Sequence, residues 1–448
     1  MKKEFQAAYI PVGVPTFHLE SAEKEFGKSA ELLRGICPDT RVPDDMLLSI
    51  DKLSAYLDTI DPDLVIFQNL TFANAAYVSE VLHRFRDVPI VLWTLREPVI
   101  DGGRLRLNSL TGAYSAANTI RQFRHEPFEY VYGAPEEEKV GQKLRAAFAA
   151  AELKLDLKTL KISAVGHTPQ GFGFGRSMDA ELLHAFGVSL ESIEARELID
   201  RAKSFTEEEC AEYLADASGR MVGLECTPEN NRRDFARLYK AYAEYVRDNG
   251  IGALASRCWP DFFTAFGTPV CAVLAMLNDL DVAASCEADT LGALSMYMGQ
   301  HLTGTPAFFG DPVSLNEEEN TIHFWHCGTA ACSLARTDTG ALVGEHCNRH
   351  IGPTLEFGCK PSPEVTVFRV GRSPEGRFRF FIASGEALDR DKQFLGTSVV
   401  VRTEASAEEI VHRTVEGGWE PHYAVIYGDC ADSLEMLAHM FDIDVLRF

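Results

Sequence analysis

The sequence predicts an α/β protein: two Rossmann-like parallel-sheet domains followed by a mixed, largely antiparallel β C-terminal domain. Three observations predict it. In the first third, short continuous apolar runs alternate with amphipathic stretches, as strands buried on both faces alternate with helices. The same alternation restarts near Lys161. Beyond Asp311 the texture changes to β-branched and aromatic runs separated by turns, which reads as antiparallel strands. The expected domains are residues 1–160, 161–304 and 305–448.

Taken in order, Leu64-Val-Ile-Phe and Pro89-Ile-Val-Leu-Trp-Thr are the first buried strands. Between them, residues 72–86 space Ala76, Val78, Val81 and Leu82 at helical intervals. Residues 136–158 form a second amphipathic helix, so right-handed βαβ units and a parallel sheet follow. The second unit opens with the strand Lys161-Ile-Ser-Ala-Val-Gly, continues through a Gly-rich loop and helical stretches, and includes a helix over 230–248 and a strand over 253–259. A helix over 271–280 leads to a buried strand ending at Cys286. Val365-Thr-Val-Phe-Arg-Val, Phe378-Arg-Phe-Phe-Ile and Ser398-Val-Val-Val-Arg-Thr supply the late strands, and residues 407–416 and 433–441 return to helix.

Composition narrows the function. With 448 residues and 46% apolar content, the chain can build several cores. A formal net charge of −23, with no evident basic face, argues against a nucleic-acid partner and against anionic membranes. No apolar run is long enough to span a bilayer. The N-terminal Met-Lys-Lys-Glu-Phe-Gln lacks the apolar core of a secretion signal. Eleven cysteines without a C-x-x-C pair read as reduced thiols. A cytoplasmic location is expected, with no nucleic-acid or membrane partner.

From Cys258 to Ala335 there is no lysine or arginine, yet Glu287 and Asp311 sit there among residues that look buried. A carboxylate in apolar surroundings needs a positive partner. That partner must come from a distant side chain or a bound metal ion. Glu287 ends a buried strand, where ligands collect in parallel sheets, or else caps the helix beginning near Asp289. Asp311 precedes Pro312, which by itself reads as a turn. His422 lies just before the apolar run Tyr423-Ala-Val-Ile-Tyr, where an imidazole is held rigidly. His326, next to Cys327, is a pocket candidate. His346, Cys347 and His350 form a zinc half-site without a matching second pair. The loop Gly171-Phe-Gly173-Phe-Gly175-Arg176 lets backbone amides approach a ligand, and Arg176 suits an anionic one. Its spacing is not the dinucleotide fingerprint, so NAD is rejected.

Together these segments resemble the L-fucose isomerase and L-arabinose isomerase superfamily, particularly its shorter fucose-isomerase-like members. The resemblance rests on Cys286-Glu287-Ala-Asp289, Thr305-Pro-Ala-Phe-Phe-Gly-Asp311, His326-Cys-Gly and Pro421-His422-Tyr-Ala-Val-Ile-Tyr-Gly. Leu92-Trp93-Thr-Leu-Arg96-Glu97-Pro98 and Ser109-Leu-Thr-Gly112 add to it. It implies a metal-dependent aldose–ketose isomerase acting on a monosaccharide through an enediol. The ion is Mn2+ or another hard divalent cation, held by Glu287, Asp311 and His422, and the two carboxylates are the proton-transfer pair. It also implies a homo-oligomer, a trimer or hexamer, with active sites shared between subunits. Trp93, Arg96 and Glu97 are the residues expected to contribute there, and Gly173, Arg176 and His326 to line the sugar pocket. The chain is shorter than typical L-fucose isomerases, so the resemblance leaves the sugar open. The competing functions are a non-catalytic sugar-binding or sensory protein, and a metal-dependent epimerase or lyase using the same residues.

Overall fold

A computed structural model describes residues 3–124 and 127–448. The chain forms two compact units, Met1–Asp156 with Asp432–Ile443, and Leu157–Ala431 with Asp444–Phe448.

The first unit is built on a parallel sheet of β1 (Ala7–Val12), β2 (Leu64–Asn69), β3 (Ile90–Thr94) and β4 (Glu129–Tyr132), in that order. Every residue of β1, β2 and β3 is buried, which is why they read as unbroken apolar runs. The helix expected over 72–86 is Ala75–Arg84, shortened because the Asn74 side chain accepts from the Ala76 amide and caps it. Its Val78, Val81 and Leu82 pack with Val65, Phe67 and Leu92 of the sheet.

The second unit begins with another parallel sheet, ordered β6 (Ser189–Ile193), β5 (Lys161–Val165), β8 (Ala253–Ser256), β9 (Ala283–Cys286). The edge strand β6 has no apolar run and no fully buried residue, so its sequence gives no strand signal. A small sheet joins β7 (Met221–Val222), β12 (Ala341–Gly344) and β13 (Thr354–Leu355).

The largest sheet has eight strands. Six are β10 (Phe308–Asn316), β11 (Thr321–His326), β15 (Ser362–Arg372), β16 (Phe378–Ala387), β17 (Thr397–Thr403) and β18 (Tyr423–Tyr427), all joined antiparallel. Because β16 also pairs with β17, these six close into a barrel and leave one another no free edge. The short β14 (Phe357–Gly358) and β19 (Asp444–Arg447) add on in parallel. The sequence reading of a mixed α/β protein with parallel sheets and a large, mostly antiparallel sheet agrees with this architecture.

One local expectation changes. Asp311-Pro312 is not a turn but lies inside β10. Proline is tolerated there because the pairing with β11 shifts register between Pro312 and Ser314. All eleven cysteines are unpaired thiols. Among the described residues no helix is long and apolar enough to cross a membrane.

Candidate active site

The site lies within the second unit, where the carboxyl end of β9 meets the barrel. Glu287 and Ala288 leave β9 with φ of 59° and 55°, a left-handed conformation that costs energy for residues with a β-carbon. The turn ends at Asp289, whose carboxylate accepts from the Gly292 amide at 2.8 Å and caps the helix Thr290–Thr303. Asp289 is therefore the cap, and the Glu287 side chain is left to face the barrel.

The barrel contributes the other groups by register. Gly310 pairs with Tyr423, which sets Asp311 beside His422. Gly310 has no substitute: a β-carbon would lie 2.6 Å from the Phe308 ring and 2.7 Å from the Trp325 carbonyl. His422 Nε2 is 3.1 Å from Glu287 Oε2 and 3.3 Å from Asp311 Oδ1. Its other nitrogen, Nδ1, is 2.8 Å from Asp289 Oδ2. A carboxylate only accepts, so Nδ1 carries the proton and Nε2 points between the two acids. Arg369 of β15 closes the chain of contacts, donating to both Asp289 oxygens at 2.6 and 3.1 Å.

The walls are aromatic. Phe309 packs tilted and Phe174 edge-on against the His422 ring at 4.7 and 5.2 Å. Trp259 donates its indole N–H to Glu287 Oε1 at 3.2 Å. Gly175 lets the 167–176 loop lie against Asp289, whose Cα would be 2.9 Å from an added β-carbon. His422, Asp289 and Arg369 are all at most 2% exposed, whereas Glu287 and Asp311 keep 16% and 30%. Solvent reaches the two carboxylates, and the groups behind them are sealed.

The environment separates the two acids. Burial pushes the Glu287 carboxyl up, but the His422 hydrogen bond and the fields of His326 and His422 outweigh it and hold it below the usual range. Asp311 is raised, because burial dominates there. Burial also opposes charge on Asp289, yet Arg369 and His422 drive its carboxyl far below the ordinary value. His422 is raised despite burial, through Asp289 and Glu287. Burial would lower His326, but Cys327, Asp311 and Glu287 carry it up to about 10.

Glu287, His326 and His422 are the donors that suit a hard divalent cation, with Asp311 close to His422 Nε2 but outside their group. Adjacent ligands on an octahedral ion with bonds of ~2.1 Å lie ~3 Å apart, close to the two spacings measured from His422 Nε2. Asp289 also orients the imidazole from behind, as metal-bound histidines require. One donor atom each from Glu287, His326 and His422 lies within 4.8 Å of the others. His346, expected to pair with His350, instead comes within that distance of Cys271 and Cys327.

Of the residues singled out from sequence, the fold brings together Glu287, Asp311, His326 and His422. Gly173 lies between Phe172 and Phe174 on the loop facing His422. Arg176 is exposed and donates to Thr168 Oγ1 at 2.6 Å. Trp93, Arg96 and Glu97 belong to the first unit. There Trp93 donates to the Gly133 carbonyl, Arg96 pairs with Glu137, and Glu97 accepts from the amides of Leu107 and Asn108. Sequence reasoning missed Arg369 and Trp259, and gave Asp289 no role beyond marking the start of a helix. The signal for Arg369 was present: an arginine inside the apolar run Val365-Thr-Val-Phe-Arg-Val demands a buried carboxylate.

No family model matches the chain. It is 63% identical over 441 residues to the sulfoquinovose isomerase of Clostridium sp. (strain MSTE9), covering 98% of both chains. It is 37% identical over 440 residues to the sulfoquinovose isomerase of Priestia aryabhattai, covering 97% of both. The enzyme of that name from Alkalicoccus urumqiensis is 35% identical over 442 residues, with 98% of each covered. These relatives, matched over nearly their whole length, mark the chain as a sugar isomerase, an intramolecular oxidoreductase. More particularly, the chain belongs to the sulfoquinovose isomerase family.

Proposed function

We propose that this protein is a metal-dependent aldose–ketose isomerase that converts sulfoquinovose to its 2-ketose through an enediol. Sulfoquinovose is a glucose-type aldose whose C6 carries a sulfonate. The observation that carries the reading is the convergence of Glu287 and Asp311 on His422 Nε2, with Asp289 and Arg369 behind it. The family relation supplies the sugar. We also propose membership of the wider L-fucose and L-arabinose isomerase superfamily, which is supported by the resemblance of the segments around Glu287, Asp311, His326 and His422.

Glu287, Asp311 and His422 would hold the cation, with His326 beside them. Bound there, a manganese-like ion supplies Lewis-acid stabilisation of charge on adjacent sugar oxygens. The protein's residues do the rest. Glu287, held ionised and fixed by the Trp259 indole, takes the proton from C2 of the aldose. Asp311, raised by burial, is placed to return one at C1, and the roles reverse for the ketose. His422 holds the ion and keeps the carboxylates apart. Phe172, Phe174 and Phe309 exclude water around the reacting carbons, and the loop of Gly173 and Arg176 forms the rim. The assembly proposed is a trimer or hexamer in which Arg96 and Glu97 reach a neighbour's site; Trp93, expected to join them, is fully buried in β3 and serves the core of its own subunit.

The test is turnover of sulfoquinovose and a panel of neutral aldoses in deuterated water, with manganese present and then chelated. The expected result is ketose from sulfoquinovose carrying solvent deuterium, lost on chelation and restored by manganese. Glu287→Gln, assayed at manganese high enough to load the site, should lower turnover by about 100- to 10,000-fold. Near-normal turnover in that variant would refute the base assignment. A second aldose in place of ketose would make the protein an epimerase.

A further inference from the structure

The reaction proposed above needs only C1 and C2, so it leaves open how the far, anionic end of the sugar is recognised. A sulfonate entering this site approaches two carboxylates on a chain of net charge −23. It needs a cation whose donors are not already spent. Arg369 is consumed by Asp289 and sealed from solvent. Arg257 is paired with Asp261 at 2.7 Å and donates to the Trp259 carbonyl. Arg176 is exposed and its Nε–H is committed to Thr168.

Arg349 is different. It sits half-buried in the loop between β12 and β13, with its guanidinium carbon 5.3 Å from the Trp259 ring centre and 4.9 Å from that of Phe263. Among the described residues its guanidinium has no carboxylate partner and makes no hydrogen bond. The same Trp259 donates to Glu287, so Arg349 lies one indole away from the proposed catalytic base. An edge-on contact at 6.0 Å links Trp259 to Phe172, which faces His422 at 6.4 Å. An aromatic wall thus runs from the imidazole to an unpaired cation. The loop is anchored underneath: His346 is buried, packs edge-on against Phe263 at 5.0 Å, and takes the Asn348 amide on Nδ1.

We infer that Arg349 is the sulfonate-recognising, specificity-determining residue of this site. The inference rests on the sulfonated-sugar reading above. Aromatic faces hold the guanidinium plane by cation–π contact and leave its N–H edge for a ligand. That fork matches the oxygens of a tetrahedral oxyanion better than an ammonium does. With C1 and C2 near Glu287 and Asp311, the sulfonate end of an extended sugar would lie along the Trp259 wall towards Arg349.

The experiment uses manganese-loaded full-length enzyme as wild type, Arg349→Ala, Arg349→Lys and Arg176→Ala. It measures kcat and KM for sulfoquinovose, and competitive inhibition by two alditols, the reduced sulfonated sugar and its 6-deoxy counterpart without the sulfonate. Arg349→Ala is expected to raise KM and the sulfonated alditol's inhibition constant roughly 100-fold, with kcat changed far less and the neutral alditol's constant moved less than about threefold. Arg349→Lys should fall between. Equal loss for both alditols would show a merely structural role and overturn the inference, as would an unchanged constant for the sulfonated one. A larger selective effect from Arg176→Ala would also overturn it. Failure of the parent reading looks different: the wild type itself would then neither turn over sulfoquinovose nor prefer the sulfonated alditol.

Discussion

Asp289 holds three things at once: a helix N-terminus, the buried Arg369 guanidinium and the outer nitrogen of His422. Replacing it with asparagine leaves Arg369 as an uncompensated buried charge. Asp289→Asn should therefore destabilise the protein by about 3–5 kcal/mol, measured by denaturant unfolding. A second change, Arg369→Met, should recover much of that stability and none of the activity, because His422 still lacks its anchor. The pH dependence has a definite sign. Asp289 is held below its ordinary pKa of about 3.9, so its contribution is fully present above that value and is lost as pH falls towards the folded pKa. Asp289→Asn should flatten that acid limb. At this scale the sequence was informative wherever chemistry is local. Glu287, Asp311 and His422 stood out by type and context. The partner of Asp289 did not, because Arg369 is eighty residues away on the barrel strand β15.

Elements decide how tightly those residues are held. The loop 167–176 reaches Asp289 only because residue 175 is glycine, and its carbonyl accepts from Thr290 Oγ1 at 2.8 Å. Gly175→Ala should push Phe172 and Phe174 away from His422, costing roughly 1–3 kcal/mol of stability and raising KM for the sugar. Comparison of melting temperature and kinetics with wild type checks both effects, and an unaltered KM would show that the loop does not shape the pocket. Strands with apolar runs, such as β2, β3 and β17, were legible from sequence because burial on both faces leaves a one-dimensional trace. The edge strand β6 and the strands β10 and β11 were not. Their residues mix polar and apolar types, and Pro312 reads as a breaker until pairing with β11 shows the bulge that accommodates it.

For the whole molecule, the mixed α/β class followed from pattern, whereas closure of the barrel did not: no local signal announces that β16 pairs on both sides. Assembly is the remaining question at this scale. In the first unit Leu110 and Tyr114 lie one turn apart on the helix Ser109–Phe123 with 41% and 74% exposure, and Ile100 nearby in sequence is 92% exposed. Such side chains are what a subunit contact would cover. Sedimentation velocity should show a trimer or hexamer for the wild type and a shift to monomer for Tyr114→Glu, with loss of activity if neighbours complete the site. A wild type that sediments as a monomer would dispose of the shared-site proposal.

The contact of Arg369 and His422 with Asp289 also has a meaning in time. Glu287 and Asp311 are synthesised well before Arg369, and His422 comes later still. A growing chain therefore exposes its two acids long before it owns the imidazole that organises them.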